Sequence, residues 1–397
     1  MRILHVVPYY EQAWAYGGIP RLATAMTRGL ARRGHDVTVC TTDARDEQTR
    51  ASPGDNAHGV DVRMFRNISN SLAYHLQFFT PLGLRRHVRY AARTFDVAHI
   101  HACHNLPGVI AASELSRARV PYVVSPNGTA LPIERRITAK RLFAGTAGRS
   151  FLSGAARIVA VSHAEVRQLR ALGVAESAIA HIANPIDDGE CSRPADPRAF
   201  RRQLPFADAP IVLFLGKLTP RKGVGDLVRA FARLGPSRAG LVIAGNDMGA
   251  RQSVETLVRQ LGLRERVMFT GLLSGSARLD ALAAASVVVY PSRDEIFGLV
   301  PLESLLCGTP VVVCNDSGCG EVISSTGGGQ TVSYADVGDL ARAIEAVLAD
   351  EQSWRSRARA AAVVVRRRFA ADVICGQLES LYRSIVDPTS APCRIGA

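Results

Sequence analysis

Short β-branched and apolar runs alternate along this chain with longer segments of helical period. Ile3–Val7 is the first such run, and a Gly17-Gly18 turn follows it. The next segment predicts a helix opening at Pro20 and closing at Gly34, with proline inside its start and glycine past its end. Val37–Thr41, Val62–Phe65, Val97–Ile100, Tyr122–Val124 and Ile158–Val161 read as further strands. Ser162-His163-Ala164-Glu165 has capping-box spacing for a helix running to Gly173. Such alternation predicts a mostly parallel, doubly wound sheet. Residues 184–210 break the pattern with Pro185, Pro194, Pro197, Pro205 and Pro210 among polar positions. It then resumes with Ile211–Leu215, Leu241–Ala244, Val267–Phe269, Val287–Tyr290 and Val311–Val313. From about residue 351 an Arg- and Ala-rich helical stretch leads to a second over Phe369–Val386, and 388–397 reads as a loose tail. The expected fold class is α/β: two Rossmann-like doubly wound parallel-sheet domains, 1–187 and 210–365, with 188–209 as linker. Their strands' carboxyl ends are expected to face a central cleft, where ligands bind in such folds.

Composition narrows the class. With 397 residues, 47% hydrophobic and 21% charged, the chain can build a core in each half and is not disordered. It contains no apolar run of roughly 18 residues, so no bilayer-spanning helix is expected. Met1–Pro8 lacks the pattern of a signal peptide, and the expected location is cytoplasmic. The eight cysteines form no C-x-x-C pair and read as buried thiols. His99, His101, Cys103 and His104 are the one cluster to weigh for a metal; without a second ligand cluster, a structural role is preferred and no metal is expected. Of the net charge of +13, +10 falls on residues 1–187. That bias fits anionic substrates, an anionic membrane surface or nucleic acid.

The chemistry lies in the strand-to-helix loops. Gly17-Gly18-Ile19-Pro20 can bring backbone amides and a helix N-terminus to an anion, or be a plain tight turn. It is not the G-x-G-x-x-G of a nicotinamide site. After Ile211–Leu215, the loop Gly216-Lys217-Leu218-Thr219-Pro220-Arg221-Lys222-Gly223 holds two of the chain's three lysines, against 45 arginines. Compact ammonium charges there suit a diphosphate. After Val287–Tyr290, the chain reads Pro291-Ser292-Arg293-Asp294-Glu295-Ile296-Phe297-Gly298-Leu299-Val300-Pro301-Leu302-Glu303, and a helix is expected to close at Gly308. The amides of Gly298 to Val300 would form a second anion site at its N-terminus, with Glu303 in the first turns. Carboxylates accept hydrogen bonds from sugar hydroxyls.

These motifs, with the Asn184-Pro185-Ile186-Asp187 boundary, resemble the family 4 retaining glycosyltransferases (group 1) of the GT-B fold over residues 1 to 387. The resemblance implies a nucleoside-diphosphate-sugar donor held by the second domain and a glycan or lipid-linked acceptor at the first. It also implies no cofactor or required metal, and a final helix over 366–387 crossing back to the first domain. By residue, it implies that Glu295 binds hydroxyls of the transferred hexose and Glu303 the ribose. Lys217 and Lys222 would neutralise the diphosphate with the amides of Phe297, Gly298, Leu299 and Val300 and the Gly17-Gly18 turn, and Gly271-Leu272 would meet the base.

Two positions depart from that family. Lys217 stands where arginine is commoner. The loop after Tyr122–Val124 reads Ser125-Pro126-Asn127-Gly128 where many members carry a histidine, so Asn127 is expected to contact a hydroxyl without moving a proton. His101 and His104 are reserve catalytic candidates. Glu134–Phe143 together with Arg85, Arg86 and Arg89 make a basic face expected to rest on anionic lipid at the inner face of the cell membrane. The alternative reading is a nucleotide-sugar epimerase of related fold, which would act without an acceptor and would need an acid/base pair. A nucleic-acid-binding role lacks any supporting motif.

Overall fold

A computed structural model describes residues 1–52, 57–131, 151–187, 189, 194–235 and 239–387. The chain divides into two compact units, Met1–Pro185 with Ala371 onward, and Ile186–Ala370. Among the described residues, the first unit holds strands β1 (Arg2–Val6), β2 (Asp36–Thr42), β3 (Val60–Phe65), β4 (Val97–His101), β5 (Tyr122–Ser125), β6 (Arg157–Ala160) and β7 (Ile179–His181). They form one sheet in the order β3-β2-β1-β4-β5-β6-β7, parallel throughout. The second unit holds β8 (Ile211–Leu215), β9 (Gly240–Ala244), β10 (Val267–Gly271), β11 (Val287–Tyr290), β12 (Val311–Cys314) and β13 (Gly329–Val332). Their order is β10-β9-β8-β11-β12-β13, again parallel.

Both orders reverse direction next to the first strand, between β1 and β4 and between β8 and β11. The helices that connect strands therefore cover both faces, and the central strands are buried on both sides. All five residues of β8, Ile-Val-Leu-Phe-Leu, are buried, as are all five of β4. Parallel strands covered on both faces read as continuous apolar runs for this reason.

The structure differs from the sequence reading at several boundaries. The first long helix spans Gly18–Arg32 and starts two residues before Pro20, because Gly17 at φ 104° caps it. Pro20 sits in its first turn, where its missing amide costs nothing. The proline-rich segment read as linker contains the helix Pro197–Arg201, capped by Asp196 and tied to the second unit by the Asp196 amide on Asp280. β7 is only three residues long and not buried, and β13 reads Gly-Gln-Thr-Val, which hid them. The C-terminal helices run Glu351–Phe369 and Ala371–Val386, and the chain re-enters the first unit at Ala371. The basic stretch Glu134–Phe143 lies outside the described residues.

Candidate active site

In the second unit the functional side chains come from the loops after β8 and β11, which flank the point where the strand order reverses. Beyond β8 the chain passes Gly216 and Lys217, makes a single turn over Pro220–Lys222, and reaches Gly223 at φ 66°. A Cβ at Gly223 would lie 2.2 Å from the Pro291 carbonyl oxygen, so only glycine lets this loop close on the one after β11. The Arg293 amide donates to the Arg221 carbonyl at 2.9 Å and stitches the two loops together.

That closure buries Lys222, whose ammonium donates to Glu295 Oε2 at 2.5 Å and to the Tyr290 hydroxyl at 2.6 Å. Ser292 Oγ donates to the same carboxylate oxygen at 3.0 Å. Burial alone would raise the Glu295 carboxyl. The charges of Lys222 and Arg221, with the hydrogen bonds from Lys222 and Ser292, outweigh burial and hold it at about 2. Glu295 is therefore a fixed, ionised acceptor at neutral pH. Its backbone is fixed as well: the Cys319 amide donates to the Glu295 carbonyl at 2.8 Å, and the Asp294 amide to Asp316 Oδ2 at 2.9 Å. Burial, with the Glu295 charge beside it, pushes the Tyr290 phenol well above its ordinary value, so it keeps its proton.

Phe297 is buried against Phe369 and leads into Gly298, which caps the helix Leu299–Leu306 at φ 78°. The first amides of that helix have no carbonyl partner within it and, with the helix dipole, favour an anion. Glu303, in the same helix, is buried and ion-paired with Arg278 of the helix Gly275–Ala284. Lys217 is half-buried in the loop that carries Lys222. Gly271 ends β10 at φ 75°, its carbonyl accepts the Gly245 amide at 2.7 Å, and Leu272 beyond it is exposed. The second unit thus puts Lys222 and Glu295 in direct contact, and Phe297 to Glu303 on one loop and helix beside them. Sequence reasoning does not reach Arg278 or Tyr290 as partners. Arg278 has no local signal, since it faces Glu303 across 25 residues of chain.

In the first unit, Gly17 and Gly18 open the helix Gly18–Arg32. Asn127 lies in the loop after β5 at φ 52°; its Nδ2 donates to the Ser125 carbonyl at 3.2 Å, while its Oδ1 is buried without a partner among the described residues. Glu165 anchors this loop. Its Oε1 accepts the Gly128 amide at 2.6 Å and its Oε2 the Val161 amide at 2.9 Å, and burial pushes its carboxyl up to about 7. The capping-box spacing is present, with Ser162 accepting from the Glu165 amide, but the glutamate serves the β5 loop instead of returning to the Ser162 amide.

His101 is fully buried, and burial depresses it to about 3, so it is neutral at pH 7. Its partners are His5, at 3.0 Å between His5 Nδ1 and His101 Nε2, and the stacked ring of His99. The cluster is His5, His99 and His101 rather than the His99–His104 run, because β1 and β4 pair His5 with His99. His99 meets the Tyr382 hydroxyl with Nδ1 and Ser125 Oγ with Nε2, so both of its ring nitrogens are engaged in hydrogen bonds, although one nitrogen of each of the three rings lies within 4.8 Å of the others. His104 contacts the Ala130 carbonyl at 3.1 Å.

Two tandem parallel-sheet α/β units, of seven and six strands, are the architecture of the GT-B class of glycosyltransferases. Residues 17–185 match the glycosyl transferase 4-like domain, and residues 196–363 match the glycosyl transferases group 1. A D-inositol 3-phosphate glycosyltransferase of Acidothermus cellulolyticus is 30% identical over 389 residues, covering 92% of this chain and 85% of that one. Among solved structures, Anabaena HepE in complex with UDP and glucose superposes with a TM-score of 0.76 at 23% identity, over 97% of this chain and 100% of HepE. The sucrose-phosphate synthase of Thermosynechococcus elongatus gives 0.78 at 24%, over 98% and 100%. The chain belongs to the group 1, family 4 glycosyltransferases and transfers sugar.

Proposed function

We propose that the protein transfers a hexose from a nucleoside-diphosphate sugar to a glycan or lipid-linked acceptor, with retention of anomeric configuration and no required metal. It would serve polysaccharide or glycolipid biosynthesis at the cytoplasmic side of a membrane. The observation that carries the reading is the Lys222–Glu295 contact beside the N-terminus of Leu299–Leu306. Departure of a nucleoside diphosphate builds negative charge on the leaving oxygen. Lys222, Lys217 and the amides of Phe297 to Val300 supply preorganised positive potential for it, which lowers the barrier. Glu295 accepts hydroxyls of the sugar, and Glu303, oriented by Arg278, those of the ribose. Gly271 and Leu272 border the base. In the first unit, the unpartnered Oδ1 of Asn127 is an acceptor for a sugar hydroxyl, the Gly17-Gly18 turn offers amides to an anionic group, and His101, neutral and enclosed, orients rather than accepts a proton. No side chain is assigned as nucleophile.

The test is a thermal-shift panel of nucleotide sugars, since a bound donor stabilises the fold by mass action. UDP-glucose comes first, because HepE was solved with it. Transfer or slow hydrolysis of the responding donor is then followed in wild type, Glu295→Ala and Lys222→Ala. Inositol phosphate, from the name of the curated relatives, is the first soluble acceptor to add. Loss of turnover in both variants supports the assignment, and retention in both removes it.

A further inference from the structure

Between Val62 and Phe95 the chain carries six arginines (63, 66, 85, 86, 89 and 93) and no acidic residue. The same stretch exposes apolar side chains to an unusual degree. Five of the eleven exposed large hydrophobic residues among those described lie in it: Ile68, Leu72, Phe78, Leu82 and Tyr90, between 43% and 74% exposed.

This exposure is built rather than left over from poor packing. The segment after β3 folds back on itself, with the Ile68 amide on the Thr80 carbonyl at 3.2 Å and the Leu82 amide on the Arg66 carbonyl at 2.9 Å. Asn67, fully buried, staples the loop from inside: its Nδ2 donates to the Ser69 carbonyl at 2.8 Å, and its Oδ1 accepts the Thr80 amide at 2.8 Å. The Phe78 amide donates to the Leu72 carbonyl at 3.4 Å, while the next residue, Phe79, turns inward to pack on Tyr9 and Tyr16. One phenylalanine of the pair is thus anchored and the other is held out. The helix Leu84–Ala91 follows directly in the chain; Gly83, Arg86, His87, Tyr90 and Ala91 line an open groove of about 470 Å³. Arg85 and Arg89 share Glu114 with Arg117, and Arg86 lies 5.9 Å from the Tyr90 ring centre. Among the described residues no carboxylate pairs with Arg66, Arg86 or Arg93.

Exposed apolar side chains on a segment where Arg63 pairs with Asp61 and Arg85 and Arg89 share Glu114, but Arg66, Arg86 and Arg93 remain without a carboxylate among the described residues, match one partner: a bilayer surface rich in anionic phospholipid. Its acyl boundary takes the apolar groups and its phosphates take the guanidiniums. We infer that residues 66–93 form a docking surface for anionic membrane, inserting Ile68, Leu72, Phe78, Leu82 and Tyr90 shallowly under an arginine collar. The inference rests on the transferase reading only for its use, which is to hold the enzyme where a lipid-linked acceptor resides.

The test is flotation of the full chain with phosphatidylglycerol–phosphatidylcholine vesicles and with phosphatidylcholine alone, without donor or acceptor. Wild type should float with the anionic vesicles, release with rising salt, and ignore the neutral ones. Arg86→Glu/Arg93→Glu should weaken binding about thirtyfold or more. Phe78→Ser/Leu82→Ser should weaken it while lowering the thermal midpoint by no more than about 4 °C, because about half of each side chain is already exposed. Wild type that ignores anionic vesicles, or variants that bind like wild type, would overturn the inference. So would a wild-type dimer that these variants dissociate, which would make the face a contact between two copies. Vesicle binding with no response to any nucleotide sugar would sink the proposed donor alone, and donor response without vesicle binding would sink this inference alone.

Discussion

Lys222 and Glu295 show how two charged side chains come to share a buried space. Each is held by neutral groups, the Tyr290 and Ser292 hydroxyls, as well as by the other. Removing one leaves the partner's charge enclosed and uncompensated, which costs more than the pair contributes. Lys222→Met is therefore expected to lower stability by about 3 kcal/mol and turnover by roughly a hundredfold or more. Urea unfolding and initial rates would show both, and a variant within threefold of wild type in turnover would refute the assignment. The pH dependence has a defined sign. Glu295 is depressed from 4.5 to about 2, so its contribution is present above the unfolded value and is lost as pH falls from about 4.5 toward 2. The residue types of this pair are legible in the sequence, as lysines clustered in an arginine-rich chain and a glutamate in a strand-end loop. Tyr290 and Arg278 as partners are not, because long-range pairing follows from sheet order, which no local pattern contains.

Two elements set the position of these groups, and each tolerates little change. The helix Leu299–Leu306 begins at Gly298, at φ 78°, where a Cβ would lie 2.5 Å from Cys319 Sγ. Gly298→Ala carries a left-handed penalty of about 1–2 kcal/mol plus that clash, and the helix N-terminus has to shift. The Kd for UDP, measured by calorimetry, should rise about tenfold, a change of roughly 1.4 kcal/mol. Adding Cys319→Ala should recover part of the loss, since it removes the clash and leaves the dihedral. The β5 loop depends on Glu165 in the same way. Glu165→Gln turns an amide NH2 toward the Gly128 or the Val161 amide, donor against donor, and should cost about 1–3 kcal/mol in urea unfolding. Elements whose cause is local are readable in advance: β8 and β11 coincide with their apolar runs, and Ser162 caps the helix predicted for it. Elements whose cause is tertiary are not. β13 has the sequence Gly-Gln-Thr-Val and forms because β12 offers it an edge. The helix start at Gly18 depends on Gly17 adopting φ 104°.

The chain's last helix, Ala371–Val386, bears on the stability of the whole first unit. Arg33 donates to Asp372 at 2.8 Å and to Glu379 at 2.9 Å, and Gly29 leaves room for Cys375, whose Sγ lies 2.5 Å from where a Cβ would stand. Deeper in, Tyr382 is fully buried with its hydroxyl on His99, above the row His5, His99 and His101. Burial holds all three imidazoles below their ordinary value of 6.5, with neighbouring rings adding to it at His5 and His99, and His101 reaches about 3. A base depressed by folding gives stability that is fully present above its unfolded pKa and is lost as pH falls below it. As pH falls below 6.5 the unfolded chain protonates these rings while the folded unit resists it, so stability should fall by up to about 1.4 kcal/mol per pH unit for each ring that stays neutral. Urea midpoints measured from pH 7.5 to 5 would show the slope. His101→Gln should flatten it by about one proton's share, whereas Tyr382→Phe should lower stability by about 1–3 kcal/mol at pH 7.5 and leave the slope nearly intact, because it removes a hydroxyl partner and not a titrating group. Glu165, raised by burial to about 7, takes up a proton in the folded unit over the same range and offsets about one ring's share, so a wild-type profile that stays level from pH 7.5 to 5 would mean that at least two of the three rings are charged, or wet, in the folded protein.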